Sequence, residues 1–338
     1  MATPHSHASP ERIMQFAFGY SAPLIIEAAV RNRVFDTLAD GPRTVEEVSR
    51  QTGASIRGLR MIMNALVGFD LLARNGDGRY ALVPESDTFL VSSRPAFFGG
   101  IFKHISSQLI KAWLDLTEIV RTGEPVKAVN QEEAGVEFFR QFVADIFPMS
   151  AGPAAALAEA MKVADAREPY SVLDIAAGSG VWGISLARRS PMVRVRAVDW
   201  EGVLPVTRQM AEKFGVADRF QFIAGDLQHA DFGSGHKLAT LGHILHSEGR
   251  ERSRTLIKSV FQALASGGTI AIQEFLVNDD RTGPPMGLIF AVNMLVNTQE
   301  GDTYSLKEIS GWLEQAGFVN VRTLEAPGPS PLILATKP

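Results

Sequence analysis

From Met14 to about Leu90 apolar residues recur at helical spacing. Leu24, Ile25, Ala28 and Ala29, then Val34, Phe35 and Leu38, form stripes that predict helices sharing one core. Gly41-Pro42 interrupts them, and Thr44-Val45-Glu46-Glu47 reads as a capping box, in which a hydroxyl and a carboxylate cover free amides at a helix start. Gly53 ends that short helix, and Ser55 caps the next, which carries Leu59, Ile62, Met63, Leu66 and Val67. Leu71 to Arg74 and Tyr80 to Val83 flank Asn75-Gly76-Asp77-Gly78, whose Asn-Gly and Asp-Gly steps supply the positive φ of a hairpin. Residues 100 to 165 read as helical, with Ile101, Ile105, Leu109, Ile110, Trp113, Leu114 and Leu116 too apolar all round for a surface helix. After Pro169 strand and helix patterns alternate, with strands expected at 171–176, 194–199, 220–224, 238–244, 269–275, 318–324 and 331–336.

Helix, short helix, helix and hairpin is the order of a winged helix, and the alternating half predicts a doubly wound α/β sheet. The chain therefore divides into a tail (1–11), a mostly helical winged-helix domain (12–95), a helical linker (96–165) and an α/β domain (166–338). Two histidines in the tail, His5 and His7, could bind metal, but in a polar tail without apolar periodicity they read as incidental. A length of 338 residues and 46% apolar content suit two folded domains. The net charge of −4 offers no surplus of cations for nucleic-acid phosphates, and the helix that would read DNA carries only Arg57 and Arg60 as charges. A packing or dimerisation role suits the apolar N-terminal helices better. The absence of cysteine excludes disulfides, thiolate metal sites and a cysteine nucleophile. The longest uncharged run, Thr282 to Gln299, contains Pro284, Pro285, Asn293 and Asn297 and makes a poor membrane span, and residues 1–12 lack the order of a signal peptide. A cytoplasmic protein without membrane or nucleic-acid partners is the expectation.

Chemistry concentrates at the strand ends. Val172 to Gly180, VLDIAAGSG, is an apolar strand running into a small-residue turn and a helix, so that backbone can approach a ligand. The turn lacks the G-x-G-x-x-G order that aims a helix N-terminus at a pyrophosphate. Asp174 before the turn would repel phosphate but attract an ammonium group. Asp199, at the end of the next strand, suits an acid accepting both ribose hydroxyls. Asp226 in Ala224-Gly225-Asp226-Leu227 can accept from an adenine amine. An ammonium, a diol and an exocyclic amine are the polar groups of S-adenosylmethionine.

On these residues the chain resembles the class I S-adenosylmethionine-dependent methyltransferases, and more narrowly the small-molecule O-methyltransferases of plant caffeate and bacterial polyketide-tailoring type. The resemblance covers nearly the whole chain. It implies a Rossmann-like, doubly wound, seven-stranded sheet, mostly parallel with an antiparallel last strand, and a homodimer formed through the winged-helix domain. It also implies that Gly178, Gly180, Asp199, Trp200, Asp226 and Leu227 line the cofactor pocket, with Ser150 at its methionine end. In that family a histidine after the fourth strand deprotonates the acceptor hydroxyl, and acids after later strands orient it. His246 and Glu274 hold the matching positions. The family's Asp-Trp after the histidine is Ser247-Glu248 here, and a second orienting acid is matched by Thr303. Phe142, Phe147, Phe290, Asn293 and Met294, with Met286, are the acceptor-pocket candidates. His243 is out of phase with His246 on an alternating strand, so both would face one pocket only where the strand has ended. No histidine pair has metal-ligand spacing, and no metal is expected. Carbon methylation or another reaction on the same scaffold, and a DNA-binding winged-helix regulator that senses an adenosyl ligand, are the alternative readings.

Overall fold

Residues 8–328 and 330–338 are described by a computed structural model, which leaves His5 and His7 outside the described residues. The chain separates into two units, one ending at Leu109 and the other beginning at Ile110. The stretch expected as one linker is thereby divided, residues 96–109 belonging to the first unit and 110–165 to the second.

The first unit contains α1 (Glu11–Ala17), α2 (Ser21–Arg31), α3 (Val34–Leu38), α4 (Val45–Thr52) and α5 (Ile56–Gly68), the hairpin β1 (Leu72–Arg74) and β2 (Tyr80–Leu82), then α6 (Pro84–Phe89) and α7 (Gly100–His104). The local signals act as their chemistry dictates. Glu47 N–H donates to Thr44 Oγ1 at 3.3 Å, and Thr44 N–H to Glu47 Oε2 at 2.8 Å, closing the capping box of α4. Gly53 ends α4 at φ 74°, and Ser55 Oγ accepts from Gly58 N–H at the start of α5. Val34, Phe35, Leu38, Leu59, Met63, Leu66 and Tyr80 form the core. On α1 and its exit, Ile13, Phe16, Phe18 and Tyr20 stay exposed in the single chain.

The second unit opens with helices α8 (Ile110–Trp113), α9 (Leu116–Thr122), α10 (Glu132–Phe142) and α11 (Phe147–Ala160). Leu114, placed in a buried helix by the apolar pattern, is 78% exposed in the single chain. Next come β3 (Tyr170–Ile175), α12 (Val181–Arg189), β4 (Val193–Asp199), α13 (Leu204–Lys213), β5 (Phe220–Ala224) and β6 (His236–Gly242). The chain ends with α14 (Leu245–Glu248), α15 (Arg250–Ala263), β7 (Leu264–Gln273), α16 (Pro285–Asn297), α17 (Leu306–Gln315), β8 (Val319–Leu324) and β9 (Leu332–Thr336). The seven strands order as β5-β4-β3-β6-β7-β9-β8, all parallel except β9, which runs antiparallel to both neighbours.

Alternate residues of each strand feed two cores. Leu173, Ile175, Ala239, Leu241, Ile270 and Ile272 pack with α15 and α17 on one face. Val172, Val195, Ala197, Leu238 and Ala271 pack with α11, α12 and α13 on the other. Strand order reverses between β3 and β6, and a doubly wound sheet opens a crevice at that switch point. β7 begins at Leu264, earlier than the pattern suggests, because Leu264 pairs with His236 across a register shift. β6 ends at Gly242, two residues early, because His243 adopts φ 58°. No single helix among the described residues is long and apolar enough to cross a membrane.

Candidate active site

A cavity of about 1010 Å³, its open mouth included, sits at the carboxyl ends of β3, β4, β5 and β6. The turn after β3 shapes its floor. Ala176, Gly178 and Gly180 all have positive φ, of 51°, 53° and 72°. Asp199 fastens this turn to the end of β4: its Oδ2 accepts from Gly178 N–H and its Oδ1 from Trp200 N–H, both at 2.7 Å. Each oxygen keeps a second acceptor direction. Burial pushes Asp199 up to about 6, against the lowering effect of those two amides. Asp226 Oδ1 accepts from Gln228 N–H at 2.8 Å, and Leu227 and Ser150 complete the expected wall, with Ser150 Oγ donating to Gln273 Oε1 at 3.1 Å.

Two residues expected on that wall stand elsewhere. Asp174 lies on the sheet face that meets α12 and has no exposure. Its Oδ1 accepts from Thr240 Oγ1 at 2.8 Å and its Oδ2 from Gly183 N–H at 2.9 Å, so it ties strand to helix and does not reach the cavity. A Cβ on Gly183 would meet Val195 at 2.7 Å, which is why α12 comes close enough for that bond. Burial pushes Asp174 up to about 7, with Thr240 and Gly183 opposing the shift. Gly180 is likewise absent from the lining. Its left-handed conformation starts α12, and a Cβ there would press on Thr207 at 3.0 Å.

His246 lines the cavity from the first turn of α14. Its Nδ1 lies 2.6 Å from Glu274 Oε2, while Glu274 Oε1 accepts from the amides of Leu245 at 2.7 Å and His246 at 3.3 Å. Glu274 is only 3% exposed, yet it is held below the ordinary carboxylate range. Burial pushes it upward, but the neighbouring imidazole and these hydrogen bonds outweigh that effect. An ionised Glu274 fixes the tautomer with the proton on Nδ1, and Nε2 keeps its lone pair. Thr303 adds nothing to this pair, since its hydroxyl donates to Gly287 carbonyl at 3.2 Å.

The acceptor candidates fare less well. Phe142, Phe147, Phe290, Asn293, Met294 and Met286 are not among the cavity walls. Phe147 stacks on Phe214 at 5.0 Å, and Phe142 packs against Phe138 and Phe139. Asn293 Oδ1 accepts from Trp113 Nε1–H and Asn297 Nδ2–H, both at 3.1 Å, which leaves it committed to packing helices together. Met294 is buried and Met286 is half exposed. Phe290 stands edge-on to His246 at 4.9 Å and backs the imidazole. The wall facing the cavity is instead Phe139 on α10, Val143 and Ile146 in the turn between α10 and α11, and Met149 beside Ser150 on α11. Phe142 and Phe147, the bulkier rings one position away from Val143 and Ile146, turn into the packing with Phe138 and Phe214.

Other lining residues were also missed. Trp182 fills the space where a Cβ on Gly242 would stand, 2.1 Å from its Nε1. Glu248, buried and pushed upward by burial against Arg252 at 2.8 Å, borders the Asp226 end. Asn130 donates through Nδ2 to Ser247 carbonyl at 3.2 Å. His243 shares the wall with His246 after all, because its left-handed backbone breaks the alternation of β6. A ring nitrogen of each histidine and an oxygen of Glu274 lie within 4.8 Å of one another, a convergence that linear spacing does not reveal. The 2.6 Å bond from His246 to Glu274 already engages two of these three groups.

A doubly wound seven-stranded sheet with an antiparallel last strand, and a cavity edged by acids from successive strand ends, is the class I methyltransferase arrangement. Comparison with known proteins narrows it. Residues 113–319 match the O-methyltransferase domain and residues 14–92 the O-methyltransferase dimerisation domain. The chain is 30% identical to the tetracenomycin polyketide synthesis 8-O-methyl transferase of Streptomyces glaucescens, covering 99% of each chain. It is also 30% identical to the 3-hydroxy-5-methyl-1-naphthoate 3-O-methyltransferase of Streptomyces sahachiroi, covering 99% of this chain and 97% of that one. A putative O-methyltransferase structure from Nostoc punctiforme superposes with a TM-score of 0.87 at 29% identity, over 98% of this chain and 100% of the other. The chain belongs to the O-methyltransferase family. It is an S-adenosylmethionine-dependent O-methyltransferase that carries the family's dimerisation domain.

Proposed function

We propose that this enzyme methylates a hydroxyl of a small aromatic secondary metabolite, with His246 as general base and Glu274 as the group that fixes its tautomer. The observation that carries the reading is the 2.6 Å bond from His246 Nδ1 to a buried carboxylate beside the cavity. The two Streptomyces relatives, named for a polyketide and a naphthoate, support an aromatic acceptor.

The residues fit the cofactor. Asp199 keeps a free acceptor direction on each oxygen for a ribose diol, and Asp226 and Leu227 stand where an adenine edge can be held. Ser150 and the backbone of Gly178 border the methionine end, and Trp200 offers an indole face. When bound, S-adenosylmethionine supplies an electrophilic methyl group and leaves as the thioether S-adenosylhomocysteine. His246 Nε2 takes the hydroxyl proton of a phenol whose pKa is near 10, as that oxygen becomes nucleophilic. Glu274 steadies the imidazolium, which then releases its proton to solvent. The apolar wall of Phe139, Val143 and Ile146 excludes water from the cavity beside Trp200 and Gly178.

Exposed Ile13, Phe16, Phe18 and Tyr20 support a homodimer through the first unit, and a cytoplasmic enzyme free of membrane or nucleic-acid partners is consistent with its composition. Calorimetric titration with S-adenosylhomocysteine, paired with turnover of His246→Ala, tests the assignment. The variant should lose about 10²-fold or more in kcat with cofactor affinity nearly unchanged. Undiminished turnover would remove His246 from the mechanism, and NMR of the product would separate oxygen from carbon transfer.

A further inference from the structure

Among the described residues, four buried side-chain atoms have no hydrogen-bond partner: Asn130 Oδ1, both ring nitrogens of His243 and the Tyr304 hydroxyl. Two of the four belong to His243, and His243 lines the cavity. The Gln273 side chain lies close enough to act on the His243 ring, but not at hydrogen-bond geometry to either nitrogen. Buried polar groups are almost always paired, so this ring calls for a ligand. The backbone reinforces this. His243 holds φ 58°, uncommon for a residue other than glycine, while its N–H donates to Gln273 carbonyl at 2.8 Å. Strain of this kind gathers where a side chain must be aimed. The angle sets the His243 ring 6.2 Å from that of His246, with Phe275 packed against it at 4.9 Å. Burial pushes His243 down to about 4, against the raising effect of Glu274, so the ring is neutral and offers one donor and one acceptor.

We propose that His243 binds a second oxygen of the acceptor, adjacent to the hydroxyl that His246 deprotonates, and that the site therefore selects aromatics whose hydroxyl lies ortho or peri to a carbonyl or another hydroxyl. This rests on the reading of His246 as base. Neighbouring oxygens of that kind lie about 2.5–3.0 Å apart, as in an O–H···O bond. Two imidazoles whose ring centres stand 6.2 Å apart on one cavity wall can each take one of them. The pairing also has a chemical use. A hydroxyl beside a carbonyl is bonded internally and gives up its proton poorly. An N–H from His243 to the carbonyl competes with that bond and turns the hydroxyl toward His246. The hydroxyl proton passes to His246 Nε2, and His243 keeps its own.

The test is binding to the enzyme loaded with S-adenosylhomocysteine, with 2-acetyl-1-naphthol as the paired-oxygen probe and 1-naphthol as its lone-hydroxyl counterpart. The wild type should bind the former about tenfold more tightly, the size of one hydrogen bond. His243→Leu should bring the two within about twofold, with little change for 1-naphthol, and His243→Gln, which retains an N–H, should restore part of the preference. Equal affinities in the wild type, failure of 2-acetyl-1-naphthol to bind, or an undiminished preference in His243→Leu would overturn the assignment. The readout needs no turnover, so it stands apart from the base assignment, which fails only if His246→Ala remains fully active.

Discussion

Replacing Glu274 by glutamine separates the charge of this residue from its shape. The amide oxygen can still accept from Leu245 and His246 N–H, as Glu274 Oε1 does at 2.7 and 3.3 Å. The amide nitrogen would then face His246 Nδ1, which must become the lone-pair nitrogen. The proton moves to Nε2, and the base becomes a donor. The charge is lost as well. With charge centres roughly 4 Å apart and an effective dielectric of about 20, carboxylate and imidazolium attract by about 4 kcal/mol. At 1.36 kcal/mol per decade this gives roughly a 10³-fold fall in kcat, within the about 10²–10⁴ attributed to general bases. Steady-state formation of S-adenosylhomocysteine at pH 7.5 should show that fall with KM little altered. The deficit should shrink towards pH 10, where the phenol ionises unaided. Glu274→Ala should lose activity and also stability, because it strands two buried amides at roughly 1–3 kcal/mol each. Its Tm should drop several degrees while that of the glutamine variant holds. A glutamine variant retaining more than a tenth of wild-type kcat would refute the reasoning.

In the proposed role of ribose acceptor Asp199 must be ionised, and burial pushes its pKa up to about 6. Cofactor affinity should therefore be level above pH 7 and weaken about tenfold per unit below pH 6, as protonation removes the acceptor. Calorimetry giving one Kd from pH 7.5 to 5 would exclude that role. Asp174 titrates about 7 when folded and near 3.8 otherwise, so the folded state holds the extra proton. Its contribution to stability is complete below pH 4 and is lost as pH rises through 7. Denaturant unfolding of Asp174→Asn should lack that slope, and its affinity for S-adenosylhomocysteine should stay within about threefold of wild type. A loss of tenfold or more would restore Asp174 to the cofactor site.

The parts of this molecule that local chemistry dictates were readable in advance. The box at Thr44 and Glu47, the strand run through Val172 and Ile175, and the acids at 199 and 226 each announce themselves within a few residues. His246 and Glu274 came through resemblance, and the 2.6 Å bond gives that pairing a physical basis. What escaped depends on direction in space. Asp174 and Asp199 both sit near strand ends, but only the three-dimensional arrangement shows that Gly183 and Thr240 absorb the first. Aromatic bulk points to Phe142 and Phe147, whereas the non-helical turn between α10 and α11 brings Val143 and Ile146 to the cavity in their place. His243 was set aside by the rule of strand alternation, which one torsion angle suspends.

That torsion has a wider consequence. At the tip of β6 a single residue supplies both an imidazole and the bend that carries the chain into the helix holding the second imidazole. A β-branched replacement would withdraw the ring and resist the bend together. Such a residue would therefore disturb the neighbouring base as well as remove the ring, whereas an unbranched side chain would change the ring and spare the bend.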